Sequence, residues 1–344
     1  MKKNKAKKVL LVTQENFFGE VEDCNIDFFS TTEPFTPLPT YHKNSVAGFF
    51  KIAVNLLLRR YDLIFLPTPN LIYPWDRSKL KKKLRNIVRV LINSPLFGRL
   101  VRFFTAKSKV IIIDRYAIST VQLDYWKMFG PNSDYYTTNL SVANHQLYNE
   151  SSNKPPVGNA YHLPLYIYTE KYNPPSGVQK DIDLFFSGTI NSDAREEALP
   201  ALQLLKEKGY NVVIYKDRLN MEQFLHYLSR SYLCLSPAGV GYDCFRHYEI
   251  MLCSSVPIIN LPKEPLMLPL HHGGNCFLYK DADDLVAQVE FLLTQKEMLV
   301  KMGKELSQQV HGTNNIYSVG RKMLYRYIDR PVPEKSASRL SVSA

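Results

Sequence analysis

Short apolar runs recur along this chain with helix-like stretches between them, and that alternation limits its fold more than any other feature. The first half carries KVLLVT at 8–13, DLIFLP at 62–67 and KVIIID at 109–114, with DYYTTN at 134–139 as a further short strand candidate. The second half carries IDLFFSG at 182–188, NVVIY at 211–215, YLCLS at 232–236, VPIIN at 256–260 and CFLYK at 276–280. These runs are too short for buried helices and are apolar on both faces, as strands covered on both sides must be. Between them, residues 45–59, 193–208, 220–230, 243–254 and 281–293 carry helix-like sequence, and a last helix is expected over about 314–328. Asp281, Asp283 and Asp284 suit the start of one of these helices, where unpaired backbone N–H groups favour negative charge. Strand and helix in alternation imply parallel sheets with helices on both faces.

The alternation is interrupted once. Between Glu150 and Asp183 the composition turns to Pro, Gly and Asn in NKPPVGN and YNPPSGV, with HLPLYIY between them. A chain of 344 residues suits two domains. The expected division is residues 1–160, a linker at 161–182, a second domain at 183–328 and a tail at 329–344. In doubly wound sheets a ligand binds at the carboxyl ends of the strands.

Several classes are set aside by composition. Five scattered cysteines with no C-x-x-C pair indicate neither a zinc site nor a disulfide framework, and suit a reducing, cytoplasmic compartment. The basic start MKKNKAKKVLLVTQ reads as a first strand, because its apolar part is interrupted by Gln14 and Glu15. The most apolar window, VAGFFKIAVNLLL at 46–58, contains Lys51 and falls short of the roughly 20 residues that span a bilayer.

Formal net charge is +11, and residues 77–109 hold eleven Lys or Arg with no Asp or Glu, so the excess is local. Leu84, Ile87, Val88, Leu91 and Ile92 recur there at helical spacing, and Leu100, Phe103 and Phe104 follow Pro95. One reading is a solvated basic face. A second is a surface for anionic lipid on the inner face of a membrane, with Lys81, Lys82, Lys83, Arg85 and Arg89 as its contacts. Nucleic acid is the third, and it lacks a reading motif or stacking platform.

The stretch YLCLSPAGVGYDCFRHYEIMLCSSVPIIN at 232–260 carries the chemistry. Gly239 and Gly241 let a backbone approach a ligand closely. The helix expected near Asp243 offers unpaired N–H groups to a phosphate. Arg246 and Glu249 stand at i and i+3 and share a face. The guanidinium suits diphosphate oxygens, and the carboxylate suits two vicinal hydroxyls. Alternatively, the two side chains pair with each other in an ordinary helix–strand unit.

SPAGVGYDCFRHYEIMLCSSVPIIN resembles the donor-binding segment of GT-B glycosyltransferases, most closely the exostosin-like branch. The resemblance continues through LPKEPL, GGNCFLYKDADDLVAQVEFLL and DLFFSGTINSDAR, and covers most of residues 160–328. It implies an α/β chain of two facing Rossmann-like doubly wound domains, the donor in the second and the acceptor mainly in the first. Arg246 would hold the diphosphate and Glu249 the ribose. Gly188 would leave room for the sugar phosphate, and Arg195 would be a second diphosphate contact. The Glu-x7-Glu pattern of the large retaining group is missing, since the eighth residue before Glu249 is Gly241.

The implied activity moves a hexose or pentose from a nucleotide-diphosphate sugar, a co-substrate, to a glycan or lipid-linked acceptor. No metal and no further cofactor is expected, since the resemblance implies a diphosphate held without a bound metal. An inverting reaction would need a base near the acceptor. Asp114, at the end of KVIIID, is the first candidate, with Glu20 and Asp23 as others; His145, His271 and His272 are further titratable groups to place. Two other readings of the same fold are a nucleotide-sugar epimerase and a non-catalytic, membrane-associated interaction module.

Overall fold

The computed structural model describes residues 6–13, 17–18, 21, 24–30, 46–68, 95–114, 121–239 and 241–328. Packing divides the chain into two compact units. The first takes the described residues through Leu163 together with Pro265–Met267 and residues 323–328; the second takes Pro164–Glu264 and Leu268–Lys322. This grouping differs from a division at 183–328, because residues 164–182 pack with the second unit and the end of the last helix with the first.

The first unit is built on a six-stranded parallel sheet of β1 (Lys7–Thr13), β2 (Cys24–Ser30), β3 (Leu63–Pro67), β4 (Lys109–Asp114), β5 (Ser133–Thr137) and β6 (Ala160–His162). Their order is β2-β1-β3-β4-β5-β6. Two of these strands escape a search for apolar runs. β6 is three residues long. β2 carries Asp27 at its centre, where Tyr61 Oη (2.8 Å), Lys51 Nζ (3.3 Å) and Asn55 Nδ2 (3.4 Å) all donate to its carboxylate. Helices α1 (Val46–Leu57) and α2 (Pro95–Thr105) belong to this unit. So do α3 (Leu123–Lys127) and α4 (Val142–Asn149), where Ser141 caps α4 by accepting from the Asn144 N–H at 3.1 Å.

The second unit has β7 (Ile182–Ser187), β8 (Val212–Tyr215), β9 (Ser231–Leu235), β10 (Val256–Asn260) and β11 (Phe277–Tyr279) in the order β11-β10-β9-β7-β8, all parallel. Side chains alternate across it as the pleat requires. Leu184, Phe186, Leu233 and Leu235 enter one core, while Phe185 and Cys234 enter the other. The stretch 193–208 is two helices, α5 (Asp193–Glu197) and α6 (Leu199–Glu207), with Pro200 in the first turn of the second. After them come α7 (Met221–Arg230) and α8 (Phe245–Leu252). Helix α9 (Ala282–Leu293) opens on Asp281, whose carboxylate accepts from the Asp284 N–H at 2.9 Å.

Helix α10 (Lys296–Gln309) is absent from the sequence-based expectation, and α11 (Ile316–Tyr325) follows it. Leu299, Met302 and Leu306 lie on the buried face of α10, with Gly303 among them. A Cβ on Gly303 would stand 2.0 Å from the carbonyl oxygen of Ser254, so the helix meets the turn after α8 backbone to backbone.

Chain order locates the crevice of this sheet. From β7 the chain goes to β8 on one side, then crosses to β9 on the other. The loops after β7 and β9 therefore leave in opposite directions, and a gap opens between them at the carboxyl ends.

Candidate functional site

Gly188 is the residue just past β7. Its φ of +153° lies in a region that a side chain rarely adopts, and a Cβ there would stand 2.8 and 2.9 Å from Nη2 and Nη1 of Arg246. The Arg246 guanidinium thus lies against bare backbone. Gly239, in the loop after β9, serves Arg195 in the same way: its Cβ would stand 3.0 Å from Nη2 of that residue. Its φ lies outside the left-handed region, so Gly239 is needed for close approach and not for an unusual backbone angle. Two glycines on neighbouring strands each seat an arginine.

The loop carrying Gly239 is pinned through both backbone groups of one residue. Ala238 N–H donates to Asn260 Oδ1 (2.8 Å), and its carbonyl accepts from Ser192 Oγ (2.6 Å). Ser236 N–H donates to Ile258 O at 2.9 Å, and Tyr242 Oη donates to Asn260 O. Beneath the loop, buried His247 joins it to the helix: Nε2 donates to Tyr242 O (2.9 Å), and Nδ1 accepts from Ser236 Oγ (2.8 Å), a pattern the neutral tautomer satisfies. Cys244 takes the N-cap position of α8 and makes no capping bond through its side chain. The first turn of α8 therefore presents N–H groups without a side-chain acceptor from its cap.

The electrostatics are one-sided. Arg195 Nη1 donates to Thr189 O (2.8 Å) and Asn191 Oδ1 (2.9 Å), both neutral acceptors. Neither arginine has a described carboxylate within ion-pair distance. Other cations of this unit do: Arg230 pairs with Asp181, and Lys208 with Glu290 at 2.7 Å. Nε and Nη1 of Arg246 and Nε of Arg195 are buried without a hydrogen-bond partner among the described residues. Burial, and then the positive charge of Arg246, hold the Arg195 guanidinium below its usual range. Buried donors left unpaired cost about 1–3 kcal/mol each, more when charged. Two such cations beside a helix N-terminus form a site that an anion with several oxygens would complete.

Glu249 does not pair with Arg246. Its Oε1 accepts from Tyr172 Oη at 2.8 Å, and Tyr172 comes from the Pro-rich stretch before β7. Burial pushes the Glu249 carboxyl up, with the Tyr172 hydrogen bond and the charge of Arg246 opposing it. Burial likewise pushes Asp243, just before α8, up to about 6, and Tyr248 Oη donates to it at 3.1 Å.

Gly188 and Arg195 after β7 thus meet Arg246 and Gly239 after β9, each glycine seating the arginine of the other stretch. Gly241 lies in the same loop, where its carbonyl accepts from the Gly239 N–H at 3.2 Å. Asp114 differs from expectation. It ends β4 but is 1% exposed, and it accepts from Thr68 Oγ1 (3.3 Å) and Tyr135 Oη (2.5 Å), which makes it a buried carboxylate bonded to the neighbouring strands' residues. His145 lies 3.6 Å from Glu150, and His272 Nδ1 accepts from the Leu278 N–H at 3.0 Å. His271 starts the turn that follows Leu270, its carbonyl accepting from Gly274 N–H at 3.0 Å. Glu20, Asp23 and the basic residues Lys81, Lys82, Lys83, Arg85 and Arg89 lie outside the described residues. Asn260, Ser192, His247 and Tyr172 were not legible as site residues: each acts through a bond to a distant loop, and no local spacing announces that.

No family model matches the chain, and no curated protein does. Solved structures match over nearly its full length. A glycosyltransferase from Rickettsia africae ESF-5 superposes with a TM-score of 0.54 at 11% identity, covering 95% of this chain and 99% of its own. The fold is GT-B. The N-terminal domain of Candida albicans trehalose-6-phosphate phosphatase gives 0.51 at 11% identity, with 96% and 98% covered. Anabaena Alr3699/HepE, solved in complex with UDP, gives 0.50 at 11% identity, with 94% and 100% covered. In a GT-B chain of two Rossmann-like domains, the paired arginines sit at the switch point of the second sheet.

Proposed function

We propose that this chain is a glycosyltransferase that binds the diphosphate of a nucleotide sugar between Arg195 and Arg246 and passes the sugar to a glycan or lipid-linked acceptor. The observation that carries this reading is the pair of guanidiniums, each against a glycine and without a counter-ion among the described residues, at the carboxyl ends of β7 and β9. Such cations serve the reaction as well as binding. As the bond to the sugar breaks, negative charge grows on the leaving diphosphate, and fixed positive charge stabilises it. Glu249, one turn along α8, accepts from the vicinal ribose hydroxyls. The Anabaena structure with UDP makes a uridine nucleotide the first to try. The test is incubation with UDP- and GDP-sugars and a mixture of glycan and lipid-linked acceptors. Acceptor-dependent release of nucleoside diphosphate supports the reading; conversion of the donor sugar without any acceptor contradicts it.

The acceptor side of the proposal places the first unit at an anionic lipid surface. Val54, Leu57 and Leu58 near the end of α1, and Leu100 and Phe103 on α2, are each about half exposed, and Arg59 stacks on Phe103 at 3.8 Å. Residues 46–61 and 95–109 contain no Asp or Glu, and Arg60, Arg99 and Lys107 are exposed among them. Apolar side chains ringed by cations match an anionic membrane. Vesicle flotation is expected to show binding to membranes with anionic lipid and little to zwitterionic ones. Replacing Leu57 and Phe103 together by Glu should weaken it more than tenfold. Equal flotation of the two proteins would exclude this surface.

A further inference from the structure

Tyr172 stands apart from the loops that build the arginine pair, yet its hydroxyl ends on the carboxylate of Glu249. It follows a short 3-10 turn at Thr169–Lys171, and its ring packs against the cores on both sides of the second sheet. The segment leading to it is tied down by Asn314, whose carbonyl accepts from the Ile167 N–H at 3.0 Å and whose Nδ2 donates to Leu165 O at 3.3 Å. The phenol is thus delivered to α8 by an element far from it in sequence.

We propose that Tyr172 is a positioning residue: its hydroxyl occupies Oε1 of Glu249 and so fixes that carboxylate to receive the vicinal hydroxyls of the nucleotide's pentose through its remaining lone pairs. This rests on the donor site proposed above. The chemistry requires such a partner. A carboxylate accepts from two hydroxyls only when ionised, and burial favours the neutral acid. A hydrogen bond to one oxygen stabilises the ionised form and removes the rotation about the last side-chain bond. The groups facing Glu249 are Arg246 and His247 on its own helix, Tyr172, and the Cys253 thiol at the helix end, which burial pushes up to about 12 and keeps neutral. Burial raises the Tyr172 hydroxyl well above its usual range, so it stays a donor.

The sign of the pH effect follows. Without the hydroxyl, Glu249 holds its proton to higher pH. Tyr172→Phe should therefore bind UDP worst at the acid end and recover toward wild type as pH rises. Calorimetric titration of UDP and of inorganic pyrophosphate from pH 5.5 to 8.5 reads this out. The expected loss for UDP is about 5- to 30-fold near pH 6, with pyrophosphate unchanged because it has no pentose. Glu249→Gln is the second variant: it should lose UDP affinity at all pH values alike, and adding Tyr172→Phe to it should change little, since coupled residues are not additive. Equal loss of UDP and pyrophosphate in Tyr172→Phe, or a further loss in the Glu249→Gln background, would overturn the assignment. So would wild-type UDP affinity in Tyr172→Phe at every pH, which would leave the donor site standing. Failure of the wild type to bind UDP or pyrophosphate would remove both.

Discussion

Replacing Arg246 by methionine is expected to weaken nucleoside diphosphate binding by about 30- to 1,000-fold while leaving the unliganded protein as stable as before, or more so. The two effects have one cause. Arg246 carries two buried nitrogens without acceptors and lies near a second cation, so its charge is a burden until a ligand arrives. Methionine keeps much of the side-chain volume against Gly188 and removes the charge. The lost charge-assisted bonds correspond to about 2–4 kcal/mol of binding. A residue whose role is structural behaves oppositely, since removing it lowers stability first. Thermal melts with and without UDP measure both effects. The melting temperature of the free variant should be unchanged or about 2–4 °C higher, and the ligand-induced rise seen in wild type should vanish. A variant that melts well below wild type and still responds to UDP would show that Arg246 holds the fold and not the ligand.

The largest stability effect is expected at Gly303. A Cβ there would stand 2.0 Å from the Ser254 oxygen and 2.6 Å from its carbonyl carbon, so alanine requires backbone to move on one side or the other. Neither side yields easily. Ser254 already has a φ of +56°, and α10 is held by Leu299, Met302 and Leu306 in the core. Forced overpacking of this kind costs about 1–3 kcal/mol where side chains give way, and more where only backbone can. Gly303→Ala should therefore lose about 4 kcal/mol or more, seen as a large drop in melting temperature or as insoluble protein. UDP binding should fall with it, because the displaced turn ends the helix that bears Arg246 and Glu249. Gly312 is the control: a Cβ there meets nothing within 4 Å, and alanine should change the melt by less than about 1 kcal/mol. Equal melts for the two variants would refute this account of how α10 seats α8.

How much of this could be read in advance depends on whether the cause was local. The strands of the second sheet and the helix opening at Asp281 were legible, because apolar runs and an N-cap are properties of neighbouring residues. Arg246 and Glu249 were legible as a pair on one face. Their separate fates were not, because Tyr172, 77 residues away, claims the carboxylate. β2 was hidden by Asp27, which is buried only because Tyr61, Lys51 and Asn55 converge on it. Asp114 is a similar case. A carboxylate at a strand end looks available until Thr68, just past β3, and Tyr135, in the middle of β5, are seen to donate to its oxygens. Helix α10 does carry a local signal in Leu299, Met302 and Leu306, spaced three and four residues apart among polar neighbours.

The central claim is that two arginines at the ends of β7 and β9, with no counter-ion among the described residues, bind a diphosphate. Titration of UDP into the wild-type protein by calorimetry, repeated with pyrophosphate present, tests it most directly. One site per chain, weakened by added salt and by pyrophosphate as competitor, is the expected result. Absence of UDP binding, or binding that pyrophosphate leaves untouched, would contradict it.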